Sequence, residues 1–174
     1  MAASRRHDRL GVHSIGEFHM TVPSLADAER FYGAFGLRVA REGAGLALRT
    51  EGSEHVWGRL SEGPGKRFDR LSFHCFEDEA DRLHAHIQAQ GFARVDAPAG
   101  ADGAGMWFRD PDGLAVQVRP GPKTSPDAAA HHSPPLPVDG TRCAPYRSQA
   151  RPVLPRRLSH IALMTPSVPA RMAF

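Results

Sequence analysis

The amino-acid sequence predicts an α+β fold: a domain of two βαβββ modules, followed by the beginning of a truncated second domain. Three observations support this prediction. The same order of one strand, one helix and three strands occurs twice between residues 12 and 119, 11 of the 15 prolines fall between Pro120 and Pro169, and the opening of the repeat returns after most of these prolines. With 174 residues, of which 41% are hydrophobic and 24% charged, the chain is long enough for one folded domain with additions.

The first module covers residues 12–66 and centres on a predicted helix over 24–35. Ser24 is the expected N-cap, because its hydroxyl can accept a hydrogen bond from a backbone N–H of the first turn, and Gly36 can end the helix by adopting a positive φ. Apolar side chains at helical spacing predict a buried face made of Leu25, Ala28, Phe31 and Phe35. The predicted strands of this module are 15–22, 37–41, 45–50 and 54–60.

The second module, residues 67–119, repeats this order. A helix is predicted over 78–90, with a buried stripe of Ala80, Leu83 and Ile87. The predicted strands of this module are 70–76, 92–96, 105–109 and 114–119. Both helices are expected to cover the same face of one sheet, because an amphipathic helix must bury its apolar stripe against another element.

A third copy of the module begins near the end of the sequence. Residues 158–174 align without a gap onto residues 15–31 at an offset of 143 positions, and three positions, including Phe174, are identical. Residues 157–174 are therefore expected to hold the first strand and the start of the helix of a truncated second domain. Because a helix of about seven residues is unstable without its later turns, we expect the chain to be part of a longer protein.

The other segments and the composition limit the partners that we expect. Residues 1–11 are predicted to form a flexible basic tail, and residues 120–156 a Pro-rich linker in which His131 and His132 are solvent-exposed. The basic residues behind the net charge of +3 concentrate in these two segments, so no nucleic-acid partner is expected. No apolar run approaches the roughly 20 residues of a membrane helix, and no apolar signal segment is present, which predicts a cytoplasmic protein without a membrane partner.

Two sequence motifs, taken together with the paired modules, resemble a known superfamily. They are VPSLADAERFYGAFGL at residues 22–37 and FRDPDG at residues 108–113. Both are similar to motifs of the vicinal oxygen chelate superfamily, which includes glyoxalase I, bleomycin-resistance proteins and type I extradiol dioxygenases. The resemblance covers about 12–120 and resumes at 157–174. It is closest to the N-terminal domain and the start of the C-terminal domain of a two-domain extradiol dioxygenase.

This resemblance implies a function for the longer protein. It implies an oxidoreductase of aromatic catabolism that uses Fe(II) and O2 to cleave a catecholic ring beside its hydroxyls, with a non-catalytic N-terminal domain and with self-association left open. Of the implied iron ligands, only the first, His160, lies in this sequence. The chain alone is therefore expected to bind no metal tightly and to be inactive.

The resemblance also indicates where the superfamily would place metal ligands within residues 12–120. These positions are Glu17, Arg70 and Gln117, where metal-binding relatives most often have His, His and Glu. A guanidinium cannot ligate a divalent cation, and a neutral amide is a poorer ligand than a carboxylate. We hypothesise instead that Glu17 and Arg70 form a buried ion pair and that Gln117 adds hydrogen bonds to it. No catalytic residue is predicted in this domain.

Two other functions fit the same fold. One is a small-molecule-binding protein of the bleomycin-resistance type. The other is a glyoxalase-like enzyme, which needs more carboxylate or histidine ligands than these three positions supply. His19 and His74 are interpreted as packing or polar-face histidines, and His55 is assigned no role. Trp57 and Trp107 are predicted to belong to the core.

Overall fold

The structure of the protein is a computed structural model that describes residues 9–124 and 154–173. Most of the predicted basic tail, most of the Pro-rich linker with His131 and His132, and Phe174 lie outside the described residues. Within the described ranges, two helices pack on one seven-stranded mixed sheet and a short third helix lies near residue 170. None of these three helices has the length and apolar content needed to span a bilayer.

The elements follow the predicted order except for the strand at 92–96, and the α+β fold with paired modules is confirmed. The first module forms β1 (Ser14–Val22), α1 (Leu25–Ala34), β2 (Arg38–Glu42), β3 (Gly45–Arg49) and β4 (Val56–Glu62). The second forms β5 (Arg67–Cys75), a 3-10 turn (Glu77–Glu79), α2 (Ala80–Ala89), β6 (Met106–Arg109) and β7 (Ala115–Pro120). Helix α3 spans Val168–Ala173. The strand order in the sheet is β2-β3-β4-β1-β5-β7-β6.

The two modules meet where β1 pairs with β5. This pair is antiparallel, whereas within each module the first strand runs parallel to the last, β1 beside β4 and β5 beside β7. The modules therefore share one continuous sheet. Side chains from its four central strands, β4, β1, β5 and β7, lie side by side on each face.

Helix α1 has the predicted caps. The Asp27 amide donates to the Ser24 hydroxyl at 3.1 Å, which satisfies one of the free N–H groups of the first turn. After the last turn Gly36 adopts a φ of +94°, a conformation that residues with a Cβ rarely take.

The predicted buried face of α1 is wrong in part. Leu25 and Ala28 are buried, but Phe31 and Phe35 are 64% and 62% exposed. Tyr32 packs against the same apolar cluster as Leu25 and Ala28. The stripe that faces the sheet thus runs through positions spaced by three and four residues, and Phe31 lies on its flank.

Helix α2 packs on the second module as predicted. Ala80 and Leu83 are buried, and Ile87 is partly buried against the same apolar cluster. The strand residues of this cluster are Cys75, Met106, Phe108, Val116 and Val118. One apolar cluster therefore lies beneath each helix.

The strand predicted at residues 92–96 does not form. Val95 makes an isolated bridge to Trp107, its amide donating to the Trp107 carbonyl oxygen at 2.8 Å. Beyond it the chain reaches Pro98, which cannot donate in a strand ladder. Residues 99–105 then form a loop that becomes one wall of a cavity on the open face of the sheet.

The chain leaves the last strand beside the start of the first. The His74 Nδ1–H donates to the Pro122 carbonyl oxygen at 3.0 Å. The Thr124 amide donates to Ser14 Oγ, and the Thr124 hydroxyl donates to the Ile15 carbonyl oxygen, each at 3.0 Å. Residues 14 and 124 are thus neighbours at the seam between the modules.

Residues 154–173 contain one regular element, α3. The strand predicted to begin at Leu158 is absent from this described segment. A single strand is not stable without a second strand to pair with, and none of the described strands pairs with these residues. Arg171 of α3 contacts the turn between β6 and β7. Its Nε donates to Asp112 Oδ2 at 2.9 Å, and its Nη1 donates to Asp110 Oδ2.

Gly105, at the end of the cavity loop, packs closely against β7, and its replacement tests this close packing. A Cβ at this position would meet the Val118 carbonyl oxygen and would lie 2.6 Å from the Arg119 Cβ, in a backbone with φ of +68°. We expect Gly105→Ala to lower the free energy of unfolding by about 2–4 kcal/mol in urea denaturation, from backbone strain and overpacking.

Gly103→Ala is the matched control. Nothing lies within 4 Å of a Cβ added at Gly103, so this variant should change the free energy of unfolding by less than about 1 kcal/mol. Equal stability of the two variants would contradict the close packing of the loop on β7.

Candidate functional site

The sheet has one apolar face and one polar face, because side chains alternate along each strand. On β7, Val116 and Val118 pack beneath α2, whereas Gln117 and Arg119 lie on the opposite face. Because α1 and α2 cover the apolar face, the polar side chains of the central strands lie on the face without helices.

A cavity of about 280 Å³ opens on this polar face, between the central strands and the loop 99–105. Its polar lining includes Glu17, Arg59, Arg70, Ser72, Asp102 and Gln117. The structure therefore brings together the three positions that the sequence indicated, one each from β1, β5 and β7.

Glu17 pairs with Arg59 and not with Arg70. Arg59 Nε donates to Glu17 Oε2 at 3.1 Å, and Arg59 Nη1 donates to Glu42 Oε2 at 2.9 Å. The hypothesis of a Glu17–Arg70 ion pair is wrong, because β4 lies beside β1 and supplies a closer guanidinium. Burial opposes the charge on Arg59, but Glu42 and Glu17 outweigh it and raise the pKa of Arg59.

Gln117 is held by three hydrogen bonds, none of them to Glu17 or Arg70. The Ser72 hydroxyl donates to Gln117 Oε1 at 2.6 Å. The amide nitrogen of Gln117 donates to Asp102 Oδ1 at 2.9 Å and to the Ala104 carbonyl oxygen at 2.8 Å. At 2% exposure, this side chain has both donors and its acceptor satisfied, and it fastens the loop to the sheet.

Asp102 accepts hydrogen bonds that connect the loop 99–105 to the strands. Its Oδ2 accepts from Arg119 Nη1 at 2.6 Å, and its carbonyl oxygen accepts from Trp107 Nε1 at 2.9 Å. Burial alone would raise the pKa of Asp102, but the hydrogen bonds from Gln117 and the Ala104 amide and the charge of Arg119 lower it overall.

Trp57 and Trp107 are both buried, as predicted.

Arg70 is buried without a carboxylate partner. It is 9% exposed, and its Nη2 donates to the Gly100 carbonyl oxygen at 3.4 Å. No ion pair shorter than 4.0 Å joins it to Asp or Glu in the part of the chain that the structure describes. Burial lowers the pKa of Arg70, against the opposing charges of Glu17 and Asp69. An arginine nevertheless stays protonated.

The donor set of this cavity does not fit a metal ion. Gln117 directs its amide N–H groups to other acceptors, Arg70 brings a fixed positive charge, and Glu17 is engaged by Arg59. His160 is exposed and its Nδ1 lies 2.8 Å from Ser159 Oγ. Within residues 9–124 and 154–173, no group of three or more His, Cys, Asp or Glu side chains is arranged to hold a metal ion.

The histidines of the polar face have structural partners. His74 is buried and bonds to the segment beyond β7, and His19 Nδ1 lies 3.0 Å from Asp69 Oδ2. His55 Nε2–H donates to the Gly16 carbonyl oxygen at 2.7 Å. Packing and polar-face roles for His19 and His74 are therefore supported, and His55, for which the sequence indicated no role, joins the loop before β4 to β1.

Sequence reasoning did not identify four polar residues of the cavity: Arg59, Ser72, Asp102 and Arg119. Ser72 and Arg119 lie two positions after Arg70 and Gln117, so the period of two along a strand could have found them. Asp102 lies in a loop without periodicity, and the place of Arg59 depends on the pairing of β4 with β1.

Comparison with known proteins gives one strong sequence match. Metapyrocatechase 2 of Cupriavidus necator is 44% identical over 173 residues, which cover 99% of this chain and 53% of that protein. The chain thus spans about half the length of this curated relative. No family model matches the chain.

Two solved structures show the same fold. The 2,3-dioxygenase LapB from Pseudomonas sp. KL28 superposes with a TM-score of 0.54 at 21% identity, over 63% of this chain and 41% of that one. The Mn(II)-bound glyoxalase from Novosphingobium aromaticivorans superposes with a TM-score of 0.52 at 24% identity, over 62% and 38%. In both cases the likeness concerns the fold.

Replacing Gln117 with Glu tests the hydrogen bonds of this side chain. The substitution removes two N–H donors and sets a carboxylate against that of Asp102. We expect Gln117→Glu to lower the free energy of unfolding by about 2–4 kcal/mol at pH 7, and by less in acid, where a protonated Glu donates one hydrogen bond. Chemical denaturation at both pH values measures this difference.

Gln88→Glu, on the exposed side of α2, is the control and should be close to neutral. We expect no gain in metal binding by Gln117→Glu, because Arg70 keeps its charge in the cavity. Stoichiometric binding of Mn(II) or Fe(II) by this variant would contradict the conclusion that the donor set rejects a metal.

The stability of the fold should fall as the pH is lowered through the range of histidine titration. Burial lowers the pKa of His13, His19, His55 and His74 below the ordinary 6.5. The unfolded chain therefore takes up protons at a higher pH than the folded chain, and unfolding is favoured below about pH 6.5. The melting temperature should be lower at about pH 5.5 than at about pH 7.5.

His74→Asn separates this effect from packing, since its amide can replace the Nδ1–H donor to Pro122 but does not titrate. This variant should show a shallower pH dependence of the melting temperature. His86→Asn, at an exposed position, should keep the full dependence. An unchanged slope in His74→Asn would rule out His74 as a source of the effect.

Proposed function

We propose that the chain belongs to the vicinal oxygen chelate superfamily and is part of an extradiol ring-cleaving dioxygenase. The observation that carries this proposal is the 44% identity to metapyrocatechase 2 over 173 residues. The whole protein would cleave a catecholic ring beside its hydroxyl groups with O2. Fe(II) would supply the site at which both reactants meet.

Residues 12–119 serve in this proposal as the non-catalytic domain. Their cavity is closed to a metal by Arg70 and by the Gln117 hydrogen bonds, and their side chains provide no ligand set. They form one sheet with two apolar clusters, so this domain has a core of its own. The catalytic chemistry would then reside in a second domain.

Residues 157–174 are proposed to begin that second domain, with His160 as the first iron ligand. The support is the ungapped match of 158–174 to 15–31, in which His160 takes the place of Glu17. The other two ligands would be a histidine and a glutamate 143 positions after Arg70 and Gln117. With one ligand, this chain would hold iron too weakly to work.

The two alternative functions are less well supported. The curated match is to a metapyrocatechase, and the ligands that a glyoxalase-like enzyme needs are absent from the cavity of the described domain. We further propose a cytoplasmic location and no nucleic-acid partner, which rests on the composition of the chain.

A ring-cleavage assay tests this division of labour. The purified chain, supplied with ferrous iron, O2 and a panel of catechols, should give no yellow ring-cleavage product, because it lacks two of the three proposed ligands. Metapyrocatechase 2 under the same conditions is the positive control. Turnover by the purified chain would contradict the proposed role of residues 12–119.

The coding sequence provides the second readout. A reading frame that continues beyond codon 174 should encode the histidine and glutamate at the stated offsets, and its full product should cleave catechols. In that product His160→Ala should abolish turnover and iron binding, and His86→Asn should leave both intact. A full-length product that stays active as His160→Ala would exclude His160 as a ligand.

A further inference from the structure

One of the charged side chains that line the cavity has no ion-pair partner among the described residues. Three guanidinium groups, those of Arg59, Arg70 and Arg119, face two carboxylates, those of Glu17 and Asp102. Arg59 is paired with Glu17 and Arg119 is paired with Asp102. Arg59 also donates to Glu42, which lies outside the lining, so Arg70 is the guanidinium of the lining that has no carboxylate within 4.0 Å in the described part of the chain.

This unpaired guanidinium is buried. Arg70 is 9% exposed, and its bond of 3.4 Å to the Gly100 carbonyl oxygen uses one of the five N–H donors of a guanidinium. A buried guanidinium that no carboxylate contacts is less favourable than a paired one, even though the charges of Glu17 and Asp69 act on it from a greater distance. The fold therefore holds an unfavourable charge beside an open space, which is the arrangement that a bound counter-ion would offset.

Arg119 adds a second free donor to the same wall. Its Nη1 is bonded to Asp102, but its Nε is buried and has no hydrogen-bond partner among the described residues. Buried polar groups in native proteins almost always have partners. This N–H is a second donor of a lining residue that the described protein groups leave unsatisfied.

We propose that this cavity is a binding site for a small carboxylate anion, with Arg70 as its main contact. A carboxylate fits because its two oxygens match the planar fork of a guanidinium. A monoanion fits better than a dianion because only Arg70, among the guanidinium groups of the lining, has no ion-pair partner within the described ranges. The volume of about 280 Å³ lies at the lower end of small-molecule sites, which limits the ligand to a few carbons or one ring.

The site is distinct from ring cleavage. It needs no iron and no residue beyond position 119, and it uses the charge of Arg70 that keeps a metal out. Its failure would leave the proposed dioxygenase function untouched, and failure of the dioxygenase function would leave this site untouched.

Titration of the purified chain with benzoate and with acetate tests the site. Ionic strength is held constant with sodium chloride, and benzamide serves as a neutral ligand of the same shape. Binding is followed by calorimetry and by the NMR signal of the Arg70 Nε–H group. We expect saturable binding of at least one carboxylate, a shift of the Arg70 signal, and no binding of benzamide. Absence of saturable carboxylate binding, or equal binding of benzamide, would overturn the proposal.

Two variants of Arg70 test whether this residue is responsible for carboxylate binding. Arg70→Met should weaken carboxylate binding about 10- to 100-fold, the loss expected for charged hydrogen bonds. Its melting temperature should equal or exceed that of the parent, because a buried unpaired charge is removed. Arg70→Lys keeps the charge but loses the fork, so its affinity should lie between those of the parent and Arg70→Met.

Arg30→Met is the matched control. Arg30 lies on α1, is exposed and is paired with Asp27 away from the cavity, so its loss removes one charge without touching the site. Carboxylate affinity should be unchanged in this variant. Equal weakening in Arg30→Met and Arg70→Met would show a general effect of net charge and would refute a site at Arg70.

Discussion

The antiparallel pairing of β1 with β5 determines where the other elements lie. Each of these strands also runs parallel to the last strand of its own module, so one seam aligns the four central strands. The pairing sets Arg70 opposite His19 and, through β7, Ser72 opposite Gln117. A slip of one residue in either register would turn the polar set toward the helices and the apolar set toward solvent. The packing beneath α1 and α2 therefore also fixes the geometry of the cavity on the other face.

Local signals in the sequence were sufficient for most of the elements and insufficient for the contacts between them. The Ser24 cap, the Gly36 stop and the α2 stripe depend on neighbours a few residues apart, and they were predictable. Phe31 was not, because helical spacing permits two adjacent stripes and only the position of the sheet selects one. The loss of the strand at 92–96 has a similar origin, since a segment with strand-like composition needs a partner along its whole length.

The candidate site shows the same difference between features that the sequence predicts and contacts that it does not. The meeting of Glu17, Arg70 and Gln117 in one cavity follows from the repeated modules, because equivalent strands are brought to the same seam. The partners of these residues do not follow. Whether Glu17 bonds to Arg59 or to Arg70 depends on strand register across β4 and β1, and Asp102 reaches the cavity on a loop without periodicity.

Two buried polar side chains of the cavity differ in kind. Gln117 has every hydrogen-bonding group satisfied and works as a fixed part of the wall. Arg70 makes one side-chain hydrogen bond among the described residues, to the Gly100 carbonyl oxygen. Such a contrast separates a group that maintains structure from one that is available to a ligand, because an interior tolerates unsatisfied donors only at some cost.

The hydrogen bonds from Thr124 to Ser14 and Ile15 hold the end of the domain beside its start. Entry and exit of the polypeptide lie side by side, so a domain of this shape can be inserted into another protein as a cassette, or have its two halves exchanged in order by circular permutation, with a joint of only a few residues. The same closure suits growth by tandem gene duplication, because each new copy starts where the previous one finished.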